Sequence, residues 1–119
     1  MTSTTEGTIR IPTAATLRRY GLSELEWRAI GVRQGWVCCV CRQHPKAGRL
    51  VIDHEHVKGW RDMPPAQRKR YVRGLLCWFC NHYHLARAMT EQKAYNVYLY
   101  LQDYNERSRE IRRRGKVEP

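Results

Sequence analysis

Two pairs of cysteines carry the clearest chemistry in the chain. Cys38 and Cys41 form one C-x-x-C knuckle, Cys77 and Cys80 form another, and 35 residues separate them. Two intervening residues let a knuckle turn both sulfurs toward one point, and four thiolates match the tetrahedral preference of a structural zinc ion. The other readings are buried free cysteines or a redox C-x-x-C, and a redox pair would not need a second copy. Cys39 is the odd thiol, expected to point away from the metal. Four ligands close the zinc shell, so this ion is expected to be structural rather than catalytic.

A second constellation lies beside each knuckle. Asp53-His54-Glu55-His56 sits between them, and Asn81-His82-Tyr83-His84 follows the second, so four of the five histidines occupy two short segments. A common zinc would tie these segments together in space. A carboxylate, an imidazole and an amide are the parts of a one-metal phosphodiesterase. Asp and Asn offer hard oxygen ligands to a magnesium-type ion. A neutral histidine can take a proton from water, while the metal stabilises charge on the phosphate and the leaving oxygen. A second structural metal, or histidines that merely cover the finger, are the plainer readings. Strict strand alternation sets Asp53 and Glu55 on one face and His54 and His56 on the other. For Asp53 and His54 to share a site, the strand must end or distort there.

The elements that must position these groups are legible in outline. A short helix is expected from Pro12 to Arg19, stopped by Gly21. Ser23 and Glu26 form a capping box that opens a helix over about 24–33, with Gly35 as its stop. Its expected inner face is Leu25, Ala29 and Val32, with Leu22 as a staple and Trp27 and Ile30 broadening it. Leu50, Val51 and Ile52 give the stretch from Arg49 to Glu55 strand character, and Val72 to Leu76 can return as a second strand. Residues 57–73 read as a loop with a short helix over 64–70. The pattern turns helical from Cys77. Thr90 caps a last helix in which Ala94, Val97, Tyr98, Leu101 and Tyr104 form an apolar stripe, followed by an arginine-rich tail from Arg107 to Lys116. The expected plan is α+β: a flexible tail over 1–12, a zinc-bound core over 13–89, and a C-terminal helix and basic tail over 90–119.

Composition narrows the partner. The 119 residues bound one small domain plus tails, with a formal net charge of +11. Seventeen arginines stand against five lysines, and the planar guanidinium fork suits phosphate. Such a balance points first to nucleic acid, with a merely basic soluble surface as the alternative. Expected phosphate contacts are Lys58, Arg61, Arg68, Lys69, Arg70 and Arg73 around the loop, and Arg112, Arg113 and Arg114 in the tail. No base-reading module is evident, so binding is expected to depend strongly on salt and weakly on sequence. No apolar run is long enough to cross a membrane, and the N-terminus lacks a secretory pattern. A reducing compartment is the default, where five cysteines favour metal over disulfides.

Taken together, Tyr20-Gly21-Leu22-Ser23, the helix that follows, Cys38-x-x-Cys41, Val51-Ile52-Asp53-His54-Glu55-His56 and Arg73-Gly74-Leu75-Leu76-Cys77-x-x-Cys80-Asn81 resemble the phage recombination endonuclease VII family. That family belongs to the HNH, or ββα-metal, nucleases. The resemblance runs in order over about 17–85. It implies a small zinc-stapled ββα-metal core flanked by helices, a phage-encoded enzyme of the host cytoplasm, and magnesium- or manganese-dependent cleavage of DNA. Branched, Holliday-junction-like DNA is the substrate class of its best-studied members. By position it implies Asp53 and Asn81 as ligands of the catalytic ion, His54 as general base and His56 as its assistant at the scissile phosphate. Where the junction resolvase of the family has an acidic residue three positions past its Asn, this chain has His84, a metal ligand in the broader HNH class. The basic insertion from Lys58 to Tyr71, and the short stretch after the last helix, separate it from that resolvase. The expected function is therefore a metal-dependent DNA endonuclease on branched or duplex DNA, acting as a homodimer through the tyrosine-rich stripe. The alternatives are a zinc-finger DNA-binding accessory protein without chemistry, a low-specificity nicking enzyme, and a homing or restriction enzyme for which the chain leaves little room.

Overall fold

A computed structural model describes residues 9–85 and 89–117. They form a mixed helical structure with one small sheet: α1 (Ala14–Tyr20), α2 (Glu24–Gln34), β1 (Val51–His54), α3 (Pro65–Arg68), β2 (Val72–Leu76), a π-helical segment (Cys80–His84) and the long α4 (Glu91–Val117). Single 3-10 turns at Trp60–Asp62 and Lys69–Tyr71 flank α3. The chain divides into two compact units, residues 1–87 and 88–119. The first carries the sheet and the core, and the second is α4.

Both early helices end in the same device. Gly21 takes a left-handed φ of 73°; its N–H donates to Arg18 O, and the Leu22 N–H donates to Leu17 O. This is a Schellman cap, and it brings Leu22 onto Leu17, both of them core residues. A Cβ on Gly21 would lie 1.9 Å from Pro65 O, so only glycine lets α1 approach α3 this closely. The end of α2 repeats the pattern, with Gly35 N–H on Val32 O and Trp36 N–H on Gly31 O. The expected capping box opens α2: Ser23 Oγ accepts from Glu26 N–H at 3.0 Å and Glu26 Oε1 accepts from Ser23 N–H at 2.9 Å.

The inner face of α2 is not the expected one. Leu25 is 79% and Val32 61% exposed, and Ala29 is exposed too. Trp27 and Ile30, expected to broaden that face, are buried as its centre, together with Gly31. Burying an indole removes far more apolar surface from water than burying a leucine, so Trp27 sets the rotation of the helix. Its ring then meets Trp36 at 5.2 Å, and Trp36 lies so flat on Gly31 that a Cβ there would sit 2.2 Å from the ring.

That rotation aims Gln34 at the sheet. β1 and β2 pair antiparallel, and the Gln34 amide extends the pairing beyond β2: Oε1 accepts from Leu75 N–H at 2.8 Å, while Nε2 donates to Leu75 O at 2.9 Å and Val37 O at 3.0 Å. One side chain thus satisfies backbone groups on a central core residue, since Leu75 is fully buried.

Three further expectations change. The N-terminal tail is docked at its last residues: Ile9 is buried in the core and Arg10 N–H donates to Gly48 O at 2.7 Å. Residues 1–8 lie outside the described residues. The loop over 57–73 carries its short helix as expected, but it also buries Trp60, because an indole in a basic segment is costly to leave in water. The basic tail is helix rather than tail, since α4 runs through Val117. Arg107 pairs with Asp103 and Arg113 and Arg114 with Glu110 along it, exposed pairs of small individual worth.

Truncation should separate the two faces of α2. Trp27→Ala is expected to cost about 3–5 kcal/mol and Gln34→Ala about 1–3 kcal/mol, whereas Leu25→Ala should stay within about 0.5 kcal/mol. Urea unfolding of the zinc-loaded protein measures all three. A Leu25→Ala loss as large as that of Trp27→Ala would return the inner face to the other side.

Candidate functional site

The knuckles converge. The Sγ atoms of Cys38, Cys41, Cys77 and Cys80 all lie within 4.8 Å of one another, and Cys41 and Cys77 are 3.9 Å apart. Zinc–sulfur bonds of about 2.3 Å at tetrahedral angles set sulfur–sulfur edges of about 3.8 Å; a disulfide would need about 2.05 Å. The cage therefore fits a tetrahedral thiophilic ion. Its local turns are built for sulfur: Val40 N–H points at Cys38 Sγ and Cys80 N–H at Cys77 Sγ, each at 3.4 Å. Cys39 N–H donates to Leu75 O, fastening the first knuckle to β2, and the Cys39 side chain is exposed and outside the cluster, as expected. Burial pushes the Cys38 thiol up, but N–H donors from Cys77, Cys41 and Val40 outweigh it and bring it down to about 7. Burial and the neighbouring Cys77, Cys41 and Cys38 thiols push Cys80 well above the ordinary thiol range. Without a cation the cage cannot hold four negative charges; a dication removes that conflict.

The second constellation is organised by a bulge. Asp53 pairs with Gly74, but His54 pairs with Val72, so the register slips between them opposite Arg73. The extra residue is Arg73 of β2, and Asp53 is not among the residues that line the cleft with His54. Asp53 turns inward and is 4% exposed, and the Arg73 fork closes on it, Nε to Oδ2 at 2.8 Å and Nη2 to Oδ1 at 3.1 Å. A buried carboxylate is thereby paired, as it must be. His54 stays half-buried on a different path. Its ring stacks on Trp60 at 4.2 Å and lies 4.7 Å from His56 and 5.4 Å from Tyr20. Desolvation, and then the neighbouring His56 and Arg73, hold the imidazole below its usual range, while Asp53 opposes them. His54 is therefore biased toward the neutral form that accepts a proton.

His54 and His56 open onto a cleft of about 930 Å3 whose rim includes Arg19, Arg61 and Arg68. Arg68 also lies over the Trp60 ring at 5.5 Å. Three cations from three segments line the cleft beside the imidazole, together with one carboxylate, Asp62. Among the expected site residues, the structure brings His54 and His56 together here. Asn81 is half-buried at the start of the π-helical segment, with its N–H on Cys77 O. His84 packs on Phe79 and lines a different cleft. Among the described residues, the four cysteines form the only group of three or more His, Cys, Asp or Glu side chains with metal-ligand spacing. Asp53 and Asn81 carry hard oxygen donors that suit a divalent cation, and such a cation would share Asp53 with Arg73.

The basic residues divide. Arg61 and Arg68 line the cleft, Lys58, Arg70 and Arg112 are exposed, and Lys69 is engaged by Glu26 at 2.7 Å. Arg73 pairs with Asp53 while its side chain stays 40% exposed. Trp60 and Arg19 escaped the reading of the sequence as site residues. A tryptophan between Gly59 and Arg61 in a basic stretch was the available signal for the first; nothing local marks Arg19, which reaches the cleft only because α1 packs on α3.

Comparison with known proteins shows the family of the chain. The recombination endonuclease VII family matches residues 13–108. The chain is 40% identical over 68 residues to the Gene 59 protein of Mycobacterium phage D29, covering 56% of this chain and 34% of that protein. It is 39% identical over 70 residues to the Gene 59 protein of Mycobacterium phage L5, covering 58% and 36%. The chain thus spans about a third of the length of these relatives. No solved structure matches it.

Metal analysis of purified protein should find one zinc per chain. Cys77→Ser should release it and unfold the first unit, because metal binding here is folding free energy; Cys39→Ser should keep both zinc and fold. Folded protein free of zinc would remove the cage from the account.

Proposed function

The chain belongs to the recombination endonuclease VII family, and from that premise we propose that it is a divalent-metal-dependent DNA endonuclease of the ββα-metal type, with His54 as general base. β1, β2 and the π-helical segment are its ββα-metal core. The observation that supports this most is His54 itself: a half-buried imidazole biased to neutrality, braced by Trp60, next in sequence to a buried carboxylate and open to an arginine-lined cleft.

In this reading Arg61 and Arg68 hold the DNA backbone across the cleft. Asp53 and Asn81 would hold the catalytic ion, with His84 as a further ligand. The ion, magnesium or manganese, supplies charge neutralisation at the phosphate and leaving oxygen. His54 takes a proton from the attacking water; the new P–O bond forms as the bridging P–O bond breaks, and the leaving oxygen is protonated from solvent. His56 orients the phosphate beside it. Trp60 fixes the ring plane of His54, so little reorganisation is needed at the moment of proton transfer. The substrate is branched or duplex DNA in the cytoplasm of a phage host. Two copies act together through the exposed α4 stripe of Val97, Tyr98, Leu101 and Tyr104, since one such site cuts one strand.

One observation favours a second reading, a zinc-finger DNA-binding accessory protein: both Asp53 oxygens are already satisfied by Arg73. The two readings separate in one assay. Zinc-loaded protein with magnesium is incubated with a four-way junction, linear duplex and supercoiled plasmid. Cleavage of at least one is expected. His54→Ala should lower the rate by roughly 10²–10⁴-fold with DNA affinity retained. Binding without cleavage in magnesium and in manganese would establish the accessory reading. Affinity itself should fall steeply with salt and little with sequence.

A further inference from the structure

The second knuckle continues into a cluster of exposed rings. Trp78, Phe79 and Tyr83 are 59%, 54% and 59% exposed. They brace one another rather than the core: Trp78 stacks on His82 at 4.7 Å and 11°, and Tyr83 packs on Phe79 at 4.8 Å and edge-on to Trp78 at 5.8 Å. A contiguous aromatic surface left in water on a small domain marks an interaction site. Beside it lies a cavity of about 900 Å3, with Trp78 and Phe79 on its wall and Arg10, Lys46 and Arg49 among its lining residues. Among the described residues, no carboxylate lines it. The three cations more than offset the charge that a dication leaves on four thiolates. This cavity shares no lining residue with the His54 cleft.

We propose that the Trp78–Phe79–Tyr83 surface is a stacking platform for unpaired bases of a DNA strand, whose phosphates are met by Arg10, Lys46 and Arg49. The inference rests on the reading of this protein as one that acts on DNA. Rigid exposed rings beside cations are what single-stranded nucleic acid requires, because every base has a π face and every link a negative charge. A closed duplex offers neither face of its bases. The cations, with no carboxylate among the described lining residues, disfavour a basic or neutral partner, and the exposed π faces favour stacked bases over an acidic peptide; the rings already carry a fixed geometry, which lowers the ordering cost of stacking. The platform thus gives the protein a hold on unpaired strand apart from the place of cutting.

The test compares a blunt duplex with the same duplex carrying an oligothymidine overhang, using zinc-loaded protein in magnesium-free buffer. Trp78→Ala and Phe79→Ala should each weaken binding to the overhang probe roughly tenfold and leave the blunt probe unchanged, and Trp78→Phe should recover most of the loss. Zinc content and circular dichroism check that the variants are folded. Acrylamide quenching of the wild-type chain gives a readout that needs no variant. Trp27, Trp36 and Trp60 are 1%, 3% and 8% exposed, so the quenchable emission is that of Trp78, and the overhang probe should shield it where the blunt probe does not. Equal weakening on both probes, no weakening on either, or a Trp78→Ala variant whose only change is its oligomeric state would each overturn the platform. Wild-type protein that cuts DNA yet holds both probes alike overturns the platform and leaves the nuclease standing. Protein that shields Trp78 on the overhang yet cuts nothing overturns the nuclease and leaves the platform.

Discussion

Four sulfurs that must meet at one point constrain everything else in the first unit. The two knuckles stand 35 residues apart in the chain, and bringing them within one coordination sphere obliges the intervening residues to leave and return as β1 and β2. The backbone around the cage is committed to the same end. Cys39 N–H is spent on Leu75 O, and Gln34 closes on the same Leu75 from α2. A sheet of two strands is marginal alone. Here one end is locked by an ion site and one edge by an amide that imitates a third strand, and a small core of Trp27, Trp36, Leu75 and Ile52 suffices.

The register slip between Asp53 and His54 lies at the candidate site. Asp53 goes inward and His54 goes into a cleft, as alternation along a strand provides, and the register slips between them opposite Arg73. Their fates differ accordingly. Asp53, nearly out of water, is compensated by a guanidinium, since an unpaired buried charge would cost several kcal/mol or more. His54 keeps partial access to water, and the charges around it disfavour its protonated form. The insertion after β1 supplies the wall: Trp60 stacks on the imidazole, Arg68 caps Trp60, and α3 abuts α1 so closely that Gly21 has no room for a side chain. A stretch whose composition speaks only of phosphate binding also holds the histidine in place.

The arginines illustrate how a net charge of +11 is spent unevenly. Arg73 is structural to Asp53, Arg113 and Arg114 are paired along α4, and Lys69 secures Glu26 at the head of α2. Among the described residues, Arg19, Arg61 and Arg68 line the His54 cleft, and Arg10, Lys46 and Arg49 line the cavity beside Trp78. Of these six, two stood among the phosphate contacts expected from the sequence. Charge is countable in a sequence; which charges are already neutralised is a property of the fold.

The same division holds for the rest of the molecule. Caps, glycine stops, the two strands and the cysteine knuckles were legible because each depends on neighbours a few residues away: a hydroxyl reaching the third N–H, a residue that tolerates positive φ, two sulfurs in one turn. Family membership was legible because D-H-x-H and R-G-L-L-C-x-x-C-N occur together in order. The rotation of α2 was not, since Leu25, Ala29 and Val32 make as regular a stripe as Trp27, Ile30 and Gly31, and only the presence of Trp36 across the core selects between them. Nor were the Arg73 clasp on Asp53, the stacking of Trp60 on His54, or the separation of His84 into another cleft. Each of these joins residues from different elements, and their meeting depends on a strand register and a helix packing that no local pattern encodes.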